Sequence, residues 1–158
     1  MLHLTHDRAA RAWLHCSLRM RAGGRARQAP EKLVSVRPGG RAARQITTGA
    51  HLDSYPRWSR DGPRIAFARG ERLLVVGARG GTPRPVVGPL IYLGSPVWSP
   101  DGSQIAYADY DGRVRVIASD GSDTRTLTNL SDAEIFGLAW SPDGRQLGFA
   151  AKERPRED

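Results

Sequence analysis

Four side chains near the N-terminus have the chemical types that bind transition metals: His3, His6, His15 and Cys16. Their spacing, His-x2-His-x8-His-Cys, matches no zinc-binding pattern, so we expect no metal site there. The sequence also contains no Gly-x-Ser-x-Gly nucleophile elbow, no His-Glu-x-x-His and no phosphate-binding Gly-Lys-Ser/Thr loop. We therefore expect neither catalytic residues nor a bound cofactor.

Carboxylates recur along the chain with a nearly constant spacing, at Asp61, Asp101 and Asp143. Acids repeated in this way could ring a pore. Each is followed by glycine, however, and short aspartate side chains accept hydrogen bonds from backbone amides in tight turns. We therefore interpret all three as turn residues. Asp109 and Asp111 resemble the start of a calcium loop but lack its further oxygen ligands and closing glutamate, which favours a hairpin turn.

Three tryptophans, Trp58, Trp98 and Trp140, lie 40 and 42 residues apart. Exposed together, they could form a platform on which a ligand stacks. Aromatic residues at equivalent positions of a repeat more often fill the space between packed sheets. We predict that these tryptophans are core residues.

The tryptophans and aspartates belong to one repeated segment, with copies at residues 55–68, 95–108 and 137–150. The residues of its motif are Trp58, Asp61 and Gly62 in the first copy, Trp98, Pro100, Asp101 and Gly102 in the second, and Trp140, Pro142, Asp143 and Gly144 in the third. Proline, aspartate and glycine in this order favour a tight turn. Large and small residues alternate after the turn, which is the pattern of a β-strand.

A second, glycine-containing turn alternates with the first, and its glycines are Gly40, Gly81 and Gly121. Short runs rich in β-branched residues flank it, so it also predicts a hairpin. Two hairpins with one shared period give a four-stranded antiparallel unit of about forty residues. This period is typical of a propeller blade.

The segment Trp-Ser-Pro-Asp-Gly-x-x-Ile-Ala-Tyr at residues 98–107, followed by an Asp-Gly hairpin and Leu-Thr, resembles the TolB-type (WD-like) β-propeller repeat. The resemblance covers residues 33 to about 151. It is closest over residues 95–128 and weaker over residues 54–87, where Arg60 replaces the turn proline. It implies an all-β partial propeller of four-stranded antiparallel blades.

The repeats divide the chain into about three blade-equivalents. We predict a basic leader, disordered or a short helix, at 1–32; a half blade at 33–47; blades at 54–87 and 95–128; a half blade at 136–151; and a charged tail at 152–158. Propellers typically close with about 4–8 blades, so one chain cannot form a ring. Two hypotheses remain: a fragment of a longer propeller, or a homodimer that completes the six blades implied by the resemblance.

The net charge of +8 is confined to the N-terminal third. Residues 1–50 contain 10 basic and 2 acidic residues, whereas residues 51–158 contain 14 of each. This segment could be a helix or an arm that contacts phosphates. Because 22 of the 24 basic residues are arginine, we attribute the excess to coding bias and do not expect a nucleic-acid partner. The apolar runs are too short to span a membrane.

These features favour a non-catalytic β-propeller module that mediates protein–protein interaction with a partner of unknown identity. The alternative is the propeller portion of a prolyl-oligopeptidase-type serine peptidase without its hydrolase domain, because similar repeats occur there. A third hypothesis is a degenerate remnant with no stable fold. No secretory signal follows Met1, which indicates the cytoplasm if the start is correct, whereas the resemblance implies the periplasm.

Overall fold

The computed structural model describes residues 30–37, 39, 43–88, 95–109, 111–131 and 133–153, together with the backbone of residues 13–16. The strands in these segments are β1 (Trp13–Cys16), β2 (Leu33–Val36), β3 (Arg44–Gln45), β4 (Asp53–Trp58), β5 (Arg64–Arg69), β6 (Arg72–Gly77), β7 (Arg84–Val87), β8 (Val97–Trp98), β9 (Gln104–Ala108), β10 (Arg113–Ala118), β11 (Thr124–Asn129), β12 (Ala133–Trp140) and β13 (Leu147–Glu153). Within the described segments there is no helix that is long and apolar enough to cross a membrane.

Two complete four-stranded antiparallel sheets form the centre of the structure. One has the order β4-β5-β6-β7 and the other β8-β9-β10-β11, so each sheet is a simple up-and-down meander. Turn chemistry explains the hairpins: Gly102, in the Pro-Asp-Gly turn between β8 and β9, has a φ of 71°, which other residues disfavour. The predicted fold class, a partial propeller of four-stranded antiparallel blades, is confirmed.

The sheets at the two ends are incomplete. Among the described residues, the last contains β12 and β13 alone, and the first has the order β1-β2-β3. We expected the leader to be irregular or helical, but β1 lies within it and pairs with β2, placing Trp13 opposite Val36. Without β1, the edge of β2 would present unpaired backbone groups, which explains the pairing. The other residues of segment 1–29 lie outside the described part of the chain.

The core is divided into layers between consecutive sheets. Ile65 and Phe67 of β5 pack towards the first sheet with Leu33. Ala66 and Ala68, on the opposite side of the same strand, pack towards the third sheet. Small residues on one side let the next sheet approach closely, while large residues fill the gap on the other side. The alternation of large and small residues after each predicted turn therefore reflects the two core layers on either side of the strand.

The meander gives each sheet two ends, which form two faces of the molecule. The turns β4–β5, β6–β7, β8–β9, β10–β11 and β12–β13 lie on one face, which we call the turn face. The turns β5–β6 and β9–β10 lie on the other, together with the segments that connect one sheet to the next; we call it the connection face. The first strands of consecutive sheets, β4, β8 and β12, contact one another and form the inner edge.

Candidate functional site

The aspartates of the turn face use their carboxylates within the turns. The Ser99 hydroxyl donates to Oδ1 of Asp101 at 2.6 Å, and the Ser103 hydroxyl donates to Oδ2 at 2.7 Å. The Ser103 amide donates to Oδ1 at 3.1 Å. Asp143 is held in the same way by the Ser141 hydroxyl, at 2.6 Å. These are the hydrogen bonds of a structural turn.

Hydrogen bonding also changes the acidity of these groups. The Ser99 hydroxyl, followed by the hydroxyl and amide of Ser103, lowers the pKa of Asp101 from 3.8 to about 2. The Ser141 hydroxyl and the Arg145 amide lower the pKa of Asp143. Because the donors favour the charged form, both carboxylates are ionised at neutral pH. They are poor candidates for general acid catalysis, which requires a raised pKa.

Asp101→Asn is expected to make the free energy of unfolding less dependent on pH in the acid range. A carboxylate whose pKa is lower in the folded state contributes stability above pH 4, and this contribution disappears as the pH falls towards 2. At pH 7 the variant should lose about 1 kcal/mol of unfolding free energy. Urea denaturation between pH 7 and pH 2 measures both effects. Asp123→Asn, in the exposed stretch after β10, is the matched control. If the free energy of unfolding changed with pH equally in the two variants, the prediction would be contradicted.

Arg64, which is not one of the motif residues, connects three turns of the turn face. Nη2 of Arg64 donates to Asp61 Oδ2 at 3.1 Å and to the Gly102 carbonyl at 2.8 Å. Nη1 donates to the Ser119 hydroxyl at 2.9 Å. The guanidinium also lies 4.8 Å from the centre of the Trp98 ring. This cation is engaged within the fold and holds two sheets together.

Two further arginines bridge consecutive sheets at equivalent positions. Arg44 of β3 donates to the Arg79 carbonyl, in the β6–β7 turn of the next sheet. Arg84 of β7 donates to the Ser119 carbonyl at 2.9 Å and to the Asp120 carbonyl, in the β10–β11 turn of the sheet that follows. We call this series the arginine ladder. Side chains far apart in sequence form it, so no local motif predicts it.

The tryptophans also connect sheets and do not form an open platform. Nε1 of Trp98 donates to the Arg57 carbonyl at 3.0 Å, and Nε1 of Trp140 donates to the Val97 carbonyl at 3.3 Å. Each acceptor immediately precedes the equivalent tryptophan of the preceding sheet. Trp98 is buried in the central core layer, and Trp58 packs against the first layer. We call this series the tryptophan ladder.

The carboxylates considered as a calcium loop form a turn on the connection face. Oδ1 of Asp109 accepts from the amides of Asp111 at 3.1 Å and Arg113 at 3.0 Å. Within the described segments, no three His, Cys, Asp or Glu side chains converge to hold a metal ion. The side chains of His3, His6, His15 and Cys16 lie outside the described residues.

Exposed apolar side chains mark the connection face. Leu52, just before β4, is 47% exposed, and Leu130, just after β11, is 39% exposed. Tyr55 of β4 is 45% exposed and has a φ of 51°, at a bulge in the pairing with β5. A left-handed conformation is costly for tyrosine, and strained residues of this kind cluster at binding sites.

Tyr55→Gly is expected to raise the unfolding free energy by about 1 kcal/mol, because glycine adopts positive φ without a Cβ clash. The equivalent position in the last sheet is already a glycine, Gly137, with a φ of 66°. Thermal or urea denaturation measures the effect. Gly137→Tyr is the matched reverse change, with open space for its Cβ, and it should lower stability by a similar amount. A loss of stability on Tyr55→Gly would contradict the prediction.

Comparison with solved structures identifies the fold. A TolB-type protein from Agrobacterium tumefaciens is 19% identical, with a TM-score of 0.71 over 92% of this chain and 56% of its own. TolB from Acinetobacter baumannii is 17% identical, with a TM-score of 0.66 over 83% of this chain and 33% of its own. The tricorn protease is 13% identical, with a TM-score of 0.64 over 87% of this chain and 14% of its own.

No protein-family model and no curated protein matches the chain. The chain spans about half the length of the Agrobacterium protein and a third of the Acinetobacter one. The likeness therefore rests on three-dimensional structure, and it agrees with the ladders, the layered core and the sheet order. The described residues have a TolB-like β-propeller fold, with two complete blades and parts of two more.

Proposed function

We propose that the chain is a non-catalytic β-propeller module, part of a larger propeller, that binds another protein through its connection face. The observation that carries this proposal is the exposure of Leu52, Tyr55 and Leu130 on that face. Burial of such side chains in a protein interface is favourable in proportion to the apolar area removed from water. The partner surface should therefore be apolar at its centre.

The contrast between the two faces supports this assignment. On the turn face, Arg64, Arg84 and Asp101 already bind groups of their own chain. Binding a partner there would require these hydrogen bonds to break or to be shared. On the connection face, the exposed side chains of Leu52 and Leu130 are apolar, so a partner that covers them has no side-chain hydrogen bond to break. The connection face can therefore bind a partner without a loss of fold stability.

Site-specific photo-cross-linking tests this proposal. A photoreactive amino acid at position 130, on the connection face, is compared with the same residue at position 122, an exposed serine on the turn face. Each variant is expressed in its native cells and irradiated. We expect discrete protein adducts from position 130 and none from position 122. Equal adduct patterns from the two positions, or none from either, would contradict a partner-binding connection face.

A second candidate function is the propeller portion of a serine peptidase of the prolyl-oligopeptidase type. The similarity in fold to the tricorn protease supports this second candidate, because a protease also contains such a propeller. The coding sequence downstream of Asp158 discriminates between the two functions. An in-frame hydrolase motif such as Gly-x-Ser-x-Gly would support the peptidase. Further Trp-Ser-Pro-Asp-Gly repeats would support the interaction module.

The chain can also associate with a second copy of itself. Two copies have the strands for six blades, because the described residues of each contain two complete blades and parts of two others. The two copies would meet at the incomplete sheets, which leaves the connection face free for another protein.

A further inference from the structure

One rung of the tryptophan ladder has no acceptor. Trp98 and Trp140 each donate to a carbonyl on the first strand of the preceding sheet. Nε1 of Trp58 is buried and has no hydrogen-bond partner among the described residues. Among the described residues, the sheet preceding Trp58 consists of β1, β2 and β3, and none of these strands takes the innermost position. The unpaired indole therefore marks a position that no described strand fills.

One rung of the arginine ladder is also open, at the opposite end of the chain. Arg44 lies opposite Ser35, Arg84 opposite Val75 and Arg125 opposite Val116, so the three are equivalent in register. Arg44 and Arg84 donate to a turn of the following sheet, whereas Arg125, which is exposed like the other two, makes no such hydrogen bond among the described residues. The sheet after Arg125 contains only β12 and β13, and no outer hairpin is present there among the described residues.

The last sheet also exposes a surface that the complete sheets bury. Ala66 and Ala106 are fully buried, and Ala66 lies in the core layer between the second and third sheets. The equivalent residue of β13 is Gly148, which is exposed, as is Ala150 two residues later. Phe136 of β12 is 51% exposed. This side of β12–β13 therefore has small residues that would let another sheet pack closely, but no described sheet covers it.

We propose that a second copy of this chain fills both gaps by exchange of strands, an inference that rests on the part of the proposed function that makes the chain part of a larger propeller. The β12–β13 hairpin of one copy takes the two inner positions of a sheet whose outer positions are β2 and β3 of the other copy. The sheet order becomes β12-β13-β2-β3, with β13 added at the edge of β2 that β1 occupies in the monomer. Two such exchanges, related by a two-fold axis, give six blades.

The repeat specifies the contacts of this exchanged blade. Ala139 precedes Trp140 as Arg57 precedes Trp58, so the Ala139 carbonyl of one copy is the acceptor for Trp58 Nε1 of the other. Gly39 occupies the turn position of Arg79 and Asp120, so its carbonyl is the acceptor for Arg125. A single docking event supplies both missing acceptors. This double match favours a second copy over an unrelated protein.

The leader strand competes with the exchange. β1 occupies the edge of β2, with Trp13 opposite Val36. In the complete sheet that follows, Ile65 lies opposite Val76, and the residue of β13 equivalent to Ile65 is Leu147. Leu147 of a second copy would therefore lie opposite Val36, in the position that Trp13 occupies. β1 acts as a removable strand that covers the edge of β2 in the monomer and leaves when the second copy binds.

An engineered disulfide tests the register. The repeat places Gly148 of one copy opposite Ser35 of the other, within the distance range of a disulfide. A Cβ at Gly148 meets only an ordinary contact, 3.8 Å from the Ala139 carbonyl. In a Cys16→Ser background, Ser35→Cys with Gly148→Cys is expected to give a covalent dimer on a non-reducing gel. Ser35→Cys with Ser122→Cys is the control for random collisions. Equal dimer yields from the two pairs would overturn the proposal.

Two tryptophan variants separate the exchange from ordinary stability. Trp58→Phe removes a donor that is unpaired among the described residues, so it should lower monomer stability by less than Trp98→Phe does and raise the dimer dissociation constant about tenfold. Trp98→Phe removes a hydrogen bond made within one copy and should lower monomer stability. Sedimentation equilibrium and urea denaturation provide the two readouts. A dissociation constant that is the same for wild type and Trp58→Phe would overturn the assignment of its acceptor.

Weakening β1 should have the opposite effect on association. Leu14→Pro removes a backbone donor and disfavours β1 in the sheet, so the fraction of dimer should increase several-fold. Leu4→Pro, outside the strand, is the control. If the dimer fraction decreases or stays the same, β1 does not compete with the second copy. A monomeric chain that still gives adducts from position 130 would overturn the exchange while leaving the protein-binding function intact.

Discussion

Arg69→Met is expected to lower the free energy of unfolding by about 3–5 kcal/mol. Asp53, the partner of Arg69, is fully buried at the start of β4. Nε of Arg69 lies 2.6 Å from Oδ1 of Asp53, and Nη2 lies 2.9 Å from Oδ2, so the pair is bidentate. Replacement of the guanidinium leaves a carboxylate in the protein interior without its cation. Urea denaturation monitored by tryptophan fluorescence measures the loss.

Two further variants separate this effect from a general loss of packing. Arg72→Met changes an exposed arginine at the other side of the same turn and should alter stability by less than about 0.5 kcal/mol. The double variant Asp53→Leu with Arg69→Met removes both charges and should recover most of the loss, because an apolar pair can replace a buried ion pair. A loss below about 1 kcal/mol for Arg69→Met alone would show that the pair is not important for stability.

Trp98→Ala is also expected to lower the unfolding free energy by about 3–5 kcal/mol. The indole is buried between the two complete sheets, donates to the Arg57 carbonyl and lies under the Arg64 guanidinium. Alanine would leave a cavity and remove the hydrogen bond that the indole donates to the Arg57 carbonyl. The loss is a large part of the total stability of a small domain, about 5–15 kcal/mol. Thermal and urea denaturation should both detect it.

The contribution of the indole N–H can be separated from that of the ring. Trp98→Phe keeps an aromatic ring but loses the donor, so its cost should be about 1–2 kcal/mol. Leu127→Ala, on the exposed outer strand β11, should change stability by less than about 0.5 kcal/mol. If Trp98→Ala were no more harmful than Leu127→Ala, Trp98 would not connect the two sheets.

Local chemistry explains why the hairpins could be predicted from the sequence. A Pro-Asp-Gly turn followed by alternating large and small residues specifies a hairpin within about a dozen residues, and the motif around Trp98 is of this kind. Repetition at a constant period then specifies a stack of sheets. The TolB-like fold follows from the hairpin motif and its repetition, because in a repeat protein each sheet contacts its neighbours in the stack.

The features that the sequence did not reveal depend on distant residues or on strain. β1 is a strand because β2 has an open edge, and no hydrophobic periodicity of the leader indicates this. Tyr55 adopts a positive φ that its residue type disfavours, so no turn rule predicts the bulge. Arg64 was missed because its contacts at Gly102 and Ser119 are 38 and 55 residues away. The candidate binding face follows from the exposure of side chains, which local patterns do not determine.

The absolute mass of the unmodified 158-residue chain in solution, measured by light scattering across a concentration series, tests the central claim most directly. Exchange of the β12–β13 hairpin between two copies predicts a species that approaches twice 17.3 kDa as concentration rises. It also predicts that the mass does not increase beyond this value, because the closed ring leaves no further open edge. A mass of 17.3 kDa at every concentration, or unlimited growth, would contradict the six-bladed homodimer.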